Sequence, residues 1–187
     1  MDNGFPFKSE TYLSAGRYGI VTIKNVQDGL IDYSNMSFID NLPERMKDCC
    51  KLEIGDVLLS LTGNVGRVGI VCKENLLLNQ RVAKFAPFDR DLIGFLYFYF
   101  RLETTKSLLE TIAKGTAQQN LSPVETLEQT ICFDHRLLSE DDKQSMLANC
   151  RTIVKNTIEN LRLTQLRDSL LPKLMSGEID VGSIEIG

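Results

Sequence analysis

The chain has 187 residues, 43% of them hydrophobic, and a formal net charge of −4. This length suffices for one domain with an appendage, and no apolar run approaches the roughly 20 residues that a membrane span requires. The N-terminus lacks the basic and apolar segments of a signal peptide, so we expect a cytoplasmic protein without a membrane partner.

The cysteines are irregularly spaced and odd in number, which argues against a disulfide framework. No CxxC pair supplies the spacing of a tetrahedral zinc site. We therefore expect free thiols in a reducing compartment and no metal site. The five cysteines are Cys49, Cys50, Cys72, Cys132 and Cys150.

The first part of the chain carries strand and turn patterns. Residues 18–23 alternate and are rich in β-branched side chains, which predicts a strand, and Asp28-Gly29 is typical of a turn. The apolar run at 56–61 predicts a buried strand. A glycine-rich turn at 63–67 and the β-like residues 68–72 predict that the chain returns as the second strand of a hairpin.

A change from strand to helix is expected near residue 91. The β pattern continues on both sides of residues 79–81, whereas residues 92–100 and 108–112 place apolar side chains at helical spacing. Residues 127–133 are compatible with a last strand. We therefore expect an α/β (α+β) domain over residues 1–138, built around a twisted mixed β-sheet.

A long helix dominates the second unit, which spans residues 139–187. Ser139 followed by Asp142 is typical of a helix N-cap, Gly177 is a C-terminal stop, and Pro172 is expected to kink or end the helix one turn early. Residues 147–174 alone would span about 40 Å. A helix of this length packs on its own domain or along a partner helix. The residues that we expect at a partner helix are Leu147, Val154, Ile158, Leu161, Leu166 and Leu170.

Three glycines, Gly63, Gly66 and Gly69, form a GxxGxxG pattern. Phosphate-binding loops run from a strand into a helix, whereas the residues after Gly66 are β-like. A glycine-supported hairpin is therefore the better interpretation. Its short polar tip, with Asn64 and Arg67, is able to enter a DNA groove or to contact a phosphate.

Several polar side chains have the chemistry of DNA contacts. Asn and Gln pair with adenine and Arg with guanine through two hydrogen bonds, and Lys binds phosphate. The alternatives are a polar turn at residues 79–81, a helix entry at 118–122 and solvated lysines. The candidates, besides Asn64 and Arg67, are Asn79, Gln80, Arg81, Gln118, Gln119, Asn120, Lys8, Lys24 and Lys114.

Catalysis finds little support in the sequence. His135 is the single histidine, so any nucleophile–histidine pair depends on one residue in an expected linker. The sequence contains no Walker loop, no HExxH motif and no convincing carboxylate pair. We expect no catalytic residues and no bound cofactor. A small-molecule enzyme with its site near residues 132–135 is the last-ranked alternative.

Six blocks in order resemble the specificity subunits of type I restriction–modification systems, and they span nearly the whole chain. Each block alone is a weak signal, whereas six in the same order are specific. The blocks are GFPFKSETY at 4–12, NVQDG at 25–29, GDVLLSLTGNVGRVGIV at 55–71, LNQRV at 78–82, GTAQQNLS at 115–122 and LRDSLLPKLMSGEI at 166–179.

This resemblance implies a target-recognition domain and a conserved spacer helix. It implies binding of double-stranded DNA and partnership with modification (methyltransferase) subunits, which carry S-adenosylmethionine, and with an ATP-driven restriction subunit. Family members usually carry two of each unit, so one of each suggests a half-size chain that forms a homodimer or pairs with a second half-subunit. Two such domains would address a bipartite target with half-sites about one DNA turn apart.

Two observations favour an alternative function. The net charge of −4 is unusual for a protein that neutralises phosphates, and the chain begins later than the resemblance leads one to expect. A truncated or silent specificity chain would then act only as a protein-interaction module, without reading DNA.

Overall fold

The computed structural model describes residues 1–114 and 138–179, with the backbone alone at residue 114. Within these residues nine short strands come first along the chain, and three α-helices follow them. The strands are β1 (Asp2–Asn3), β2 (Tyr18–Val21), β3 (Gly29–Leu30), β4 (Ser37–Ile39), β5 (Lys51–Leu52), β6 (Val57–Ser60), β7 (Val68–Ile70), β8 (Leu76–Leu78) and β9 (Val82–Lys84). The helices are α1 (Leu92–Tyr99), α2 (Glu103–Lys114) and α3 (Glu140–Met175).

The first sheet has the strand order β1-β9-β6-β7-β3. β6 pairs antiparallel with β7, which confirms the hairpin predicted from the glycine-rich turn. β6 also pairs antiparallel with β9, whereas β3 runs parallel to β7. This sheet is therefore mixed, as predicted.

A second sheet has the order β4-β2-β8-β5, so the prediction of one sheet was incomplete. β2 runs parallel to β8, and their outer neighbours β4 and β5 are antiparallel to them. β8 and β9 belong to different sheets, so residues 79–81 connect two layers and are not a hairpin turn. The run Leu76–Leu78 is buried at every position, and such a run does not indicate which sheet it joins.

The core follows the side-chain alternation of β6, whose four residues are all buried. Val57 and Leu59 belong to a cluster with the apolar faces of the helices, including Tyr97 of α1 and Leu109 of α2. Leu58 faces the other way, into a cluster with β2 and β8 of the second sheet. The first sheet is thus a middle layer between the second sheet and the helices, and the predicted α+β class is confirmed.

The long helix α3 begins and ends with the predicted signals. The Ser139 side chain accepts a hydrogen bond from the backbone N–H of Asp142, and Gly177 follows the helix with a φ of 75°. Pro172 lies inside the helix, which continues to Met175 and does not end one turn early. A proline near the last turn removes only one helical hydrogen bond, and Ser176 still bonds the carbonyl of Pro172.

The amino-terminal part of α3 packs closely against α1. A Cβ on Gly94 would lie 2.6 Å from the backbone nitrogen of Leu147, so only glycine permits this approach. Lys143, which is 7% exposed, forms ion pairs with Asp89 at 3.4 Å and with Glu140 at 2.6 Å. These contacts fix the direction in which α3 leaves the domain.

The apolar stripe of α3 is divided between two environments. Leu147 is buried, and Val154 and Leu161 are partly buried against the helix-side core. From residue 162 to residue 178 every side chain is exposed. Leu166 and Leu170 are 51% and 38% exposed, and Ile158 lies between the two regions at 37%. The six residues expected at a partner helix therefore do not form one free surface.

Four cysteines are free thiols, namely Cys49, Cys50, Cys72 and Cys150, whereas Cys132 lies outside the described residues. Burial raises the pKa of Cys150 to about 11. Among the helices of the described ranges, none combines the length and the apolar character needed to cross a bilayer.

The close approach at Gly94 is testable by substitution. We expect Gly94→Ala to lower the free energy of unfolding by about 1–3 kcal/mol, because the added methyl group overlaps the backbone of α3. Replacing glycine by alanine inside a helix ordinarily stabilises a protein by about 0.5–1 kcal/mol. The sign of the change in the free energy of unfolding is therefore informative by itself. Urea denaturation measures the change, and an increase in stability would contradict the packing described.

Candidate nucleic-acid interface

Three strands end at the same edge of the molecule. β2 and β8 are parallel, so their carboxyl ends, Val21 and Leu78, are paired neighbours. Ser60 at the end of β6 pairs with Val82, which directly follows the connection from β8. The loops that leave these strands therefore lie together. We call loops 22–28, 61–67 and 79–81 the loop edge.

The connection 79–81 places two polar side chains in solvent at the loop edge. Asn79 is 9% exposed; its N–H donates to the carbonyl of Val21 at 3.1 Å and its Oδ1 accepts from the N–H of Arg81 at 3.4 Å. Gln80 and Arg81 are exposed. Asn79 thus shapes the connection, whereas Gln80 and Arg81 are presented outward.

The hairpin tip 61–67 is supported from below by α2. Gly63 and Gly66 have φ values of 71° and 82°, a conformation that favours glycine. A Cβ on Gly66 would contact Leu109 at 3.4 Å and Lys106 at 3.6 Å. Asn64 is exposed at the tip. Leu109 is fully buried, so α2 fixes the height of the tip above the first sheet.

Loop 22–28 is held by a buried asparagine. Asn25 is 4% exposed; its Oδ1 accepts hydrogen bonds from the N–H and the hydroxyl of Thr22 at 3.0 and 2.7 Å, and its Nδ2 donates to the carbonyl of Asp32 at 3.0 Å. This arrangement leaves Lys24 exposed. Ile23 reaches to within 3.3 Å of a Cβ on Gly63, so the loop contacts the hairpin tip.

Arg67 joins the hairpin to the same loop. Its Nη1 donates a 2.8 Å hydrogen bond to Oε1 of Gln27, and its side chain is half-buried. Part of the hydrogen-bonding capacity of this guanidinium is therefore used inside the protein.

The loop edge is locally basic although the whole chain is acidic. Its three loops contain the cations Lys24, Arg67 and Arg81 and a single carboxylate, Asp28. Asp28 is paired with Arg101 at 2.9 Å. The local balance therefore suits contact with phosphates, which attract cationic side chains regardless of sequence.

The other predicted residues are distributed unevenly. Lys8 is exposed in the N-terminal segment, which runs beside the connection 79–81 because the carbonyl of Phe5 accepts from the N–H of Gln80. Lys114 ends α2, and its side chain lies outside the described residues. Gln118, Gln119 and Asn120 also lie outside them.

The sequence interpretation missed four residues in or beside the loop edge. Gln27 bonds Arg67, and Lys106 borders the hairpin tip. Tyr97 of α1 bonds the carbonyl of Gly29, and Arg101, two residues after α1, bonds Asp28. The turn signal Asp28-Gly29 was the single local indication of this region. The contacts of these four residues join positions far apart in the chain, so the sequence does not reveal them. Across residues 1–114 and 138–179, acidic, cysteine and histidine side chains form no group suited to hold a metal ion.

Comparison with known proteins identifies the family. Residues 2–131 match the family model described as the type I restriction modification DNA specificity domain. The match covers more than half of the chain, which therefore belongs to this family, as the resemblance of its six sequence blocks implied.

Curated relatives are much longer than this chain. It is 30% identical over 124 residues to the type I restriction enzyme HindI specificity subunit of Haemophilus influenzae, covering 66% of this chain and 27% of that protein. It is 22% identical over 172 residues to the EcoBI specificity subunit of Escherichia coli, covering 86% and 35%. The chain thus spans about a third of the length of these relatives or less.

One solved structure aligns with most of the chain. The crystal structure of the type I restriction-modification system S subunit from M. genitalium aligns with a TM-score of 0.49 at 15% sequence identity. The alignment covers 92% of this chain and 42% of that one.

The hairpin tip offers a test of its backbone conformation. We expect Gly66→Ala to lower the free energy of unfolding by about 1–2 kcal/mol, because the left-handed conformation strains an L side chain. Gly66→Asn should lose less, since asparagine tolerates this region. Gly55→Ala is the comparison variant: Gly55 has a φ of 95° and open space around a Cβ, so its loss measures backbone strain alone, without a contact to α2. Chemical denaturation measures all three, and equal stabilities of Gly66→Ala and the original chain would refute the assignment.

Proposed function

We propose that the loop edge contacts double-stranded DNA and reads part of a target sequence. The observation that carries this proposal is the meeting of three strand ends and one hairpin tip at a single basic edge. Membership of the DNA specificity domain family supports it. The chain would act as the specificity component that directs separate modification and restriction subunits to their site.

Four exposed side chains of the loop edge have a chemical role in this proposal. Gln80 and Asn64 are suited to adenine, and Arg81 to guanine, in the major groove. Lys24 would contact phosphate and position the domain. Arg67 adds to this charge within the loop edge, and Lys8 and Lys106 add to it at the border. Asn79 shapes the connection that presents Gln80.

We further propose that α3 separates two such domains. In this division residues 1–138 form the reading domain and residues 139–187 form the spacer and dimerisation unit. The 36 residues of α3 span about 54 Å. Leu163, Leu166, Leu170 and Leu174 recur at helical spacing on its exposed part, which is the stripe that a second copy would cover. A symmetric pair would favour a bipartite, palindromic target.

The chain would contribute no chemistry of its own under this proposal. Methylation and cleavage would come from the modification and restriction subunits, together with their cofactors. The single histidine of the sequence, His135, lies outside the described residues.

A protein-interaction module without DNA reading is the alternative function. The net charge of −4 favours it, because a protein that neutralises phosphates usually carries a basic surface. The exposed stripe of α3 would then occupy partner subunits without directing them. This alternative predicts binding to the modification subunits but no methylated motif.

Co-expression of the full chain with modification subunits tests the proposal. Methylated bases are mapped across the host genome, and the same subunits without this chain serve as the control. A motif that depends on the chain supports DNA reading. A stable complex that methylates no defined motif would instead support the interaction module.

Single substitutions test the reading residues. We expect Gln80→Ala and Arg81→Ala each to weaken discrimination at one base pair by about 1–3 kcal/mol, because each loses a base contact. Arg90→Ala is the control, since Arg90 is exposed and shares a cleft with Asp56 at the opposite end of β6. Relative methylation of single-mismatch sites gives the measurement. An unchanged motif in both variants would remove these residues from the interface.

The exposed stripe of α3 is tested separately by light scattering. We expect Leu170→Glu to weaken self-association by about tenfold or more, because it places a charge in an apolar contact. Gln165→Glu adds the same charge on the opposite face of the helix and should leave the dimer unchanged. An original chain that stays monomeric at high concentration, also with modification subunits present, would exclude the paired arrangement.

A further inference from the structure

The end of α1 holds the loop edge through a network of two side chains. Tyr97, which is 1% exposed, donates a 2.9 Å hydrogen bond from its hydroxyl to the carbonyl of Gly29. Arg101 donates from Nε to Oδ1 of Asp28 at 2.9 Å and from Nη1 to the hydroxyl of Tyr97 at 3.1 Å. We call these two side chains and their partners, Asp28 and Gly29, the loop clamp.

The loop clamp closes directly on the backbone at Gly29. This residue has a φ of 88°, and a Cβ there would lie 3.0 Å from the guanidinium carbon of Arg101 and 3.2 Å from the hydroxyl of Tyr97. The guanidinium also lies 5.0 Å from the centre of the Tyr97 ring. A side chain at position 29 would crowd both residues, so the backbone at Gly29 packs directly against Tyr97 and Arg101.

The same loop is fixed from its other side. Gln27, next to Asp28, accepts the hydrogen bond from Arg67 of the hairpin tip. Burial raises the pKa of Tyr97, so its hydroxyl keeps the proton that it donates to Gly29. Loop 22–28 is thus held between the hairpin and the side chains of Tyr97 and Arg101. Through the hydrogen bond between Gln27 and Arg67 and the contact of Ile23 with Gly63, it supports the hairpin tip that presents Asn64.

We propose that Tyr97 and Arg101 are positioning residues that determine which base pairs the loop edge accepts. This inference rests on the proposed function. Reading a base requires donors and acceptors within hydrogen-bond reach, so a small displacement of a loop removes discrimination while phosphate contacts persist. Arg101 also offsets the charge of Asp28, which would otherwise repel phosphate.

Three conservative variants separate positioning from folding. Tyr97→Phe removes the hydroxyl and keeps the ring in the core. Arg101→Lys keeps the charge but cannot donate in two fixed directions. Asp28→Asn weakens the pair from the loop side. Arg90→Lys is the control, because Arg90 is exposed and lies at the opposite end of β6, away from the loop edge and from the exposed part of α3.

Each full-length variant is co-expressed with the modification subunits, and methylation is mapped across the genome. The quantity compared is methylation of the original motif divided by methylation of sites that differ from it by one base pair. We expect this ratio to fall about tenfold in Tyr97→Phe and Arg101→Lys, which corresponds to the loss of one base contact. Arg90→Lys should keep the original ratio.

A purely structural role gives a different result. It lowers methylation of all sites in proportion and leaves the ratio unchanged, which would overturn the inference. If Tyr97→Phe does not fold, Arg101→Lys and Asp28→Asn test the inference. Both alter side chains that are partly solvent-accessible, so we expect the fold to tolerate them. An original chain that directs methylation to no motif would instead overturn the proposed function, and this inference with it.

Discussion

Burial of β6 on both faces is the constraint on which the rest of the structure depends. Val57 and Leu59 are covered by the helices, and Leu58 is covered by the second sheet. A strand covered on both sides leaves the core only at its ends, so the loops after β6, β2 and β8 gather where these strands finish. The layer of helices on the other face also brings α1 against α3. Both the loop edge and the origin of the long helix therefore follow from one buried strand.

Net charge is a poor guide to the surface of this protein. The value of −4 counts the acidic first turn of α3, where three carboxylates at residues 140–142 lie at the positive end of the helix dipole. It also counts Asp28, which Arg101 neutralises. At the loop edge the cations exceed the acids. The distribution of charge, rather than its sum, decides whether a phosphate backbone is attracted.

Local patterns were sufficient to predict some elements, because their signals are local. β6 and β7 follow from apolar runs on both sides of a glycine-rich turn, and α3 follows from its cap and its periodicity. The partners of β8 could not be predicted, since a uniformly apolar run fits either sheet. The contact between Tyr97 and Gly29 joins residues 68 positions apart and leaves no local trace. Tertiary packing alone creates this contact. The loops could therefore be predicted as candidate DNA contacts, whereas the side chains that hold them in place could not.

The divided environment of α3 has a consequence for exchanging parts between related chains. Up to Leu161 the helix shares its core with α1 and the first sheet, whereas every side chain from residue 162 to residue 178 is exposed. The unit that packs together is therefore the globular domain with the first two-thirds of the helix. A chimera joined at Ser139 would separate the domain from the helix residues that complete its core. One joined near Arg162 would keep these contacts and exchange only the exposed part of the helix.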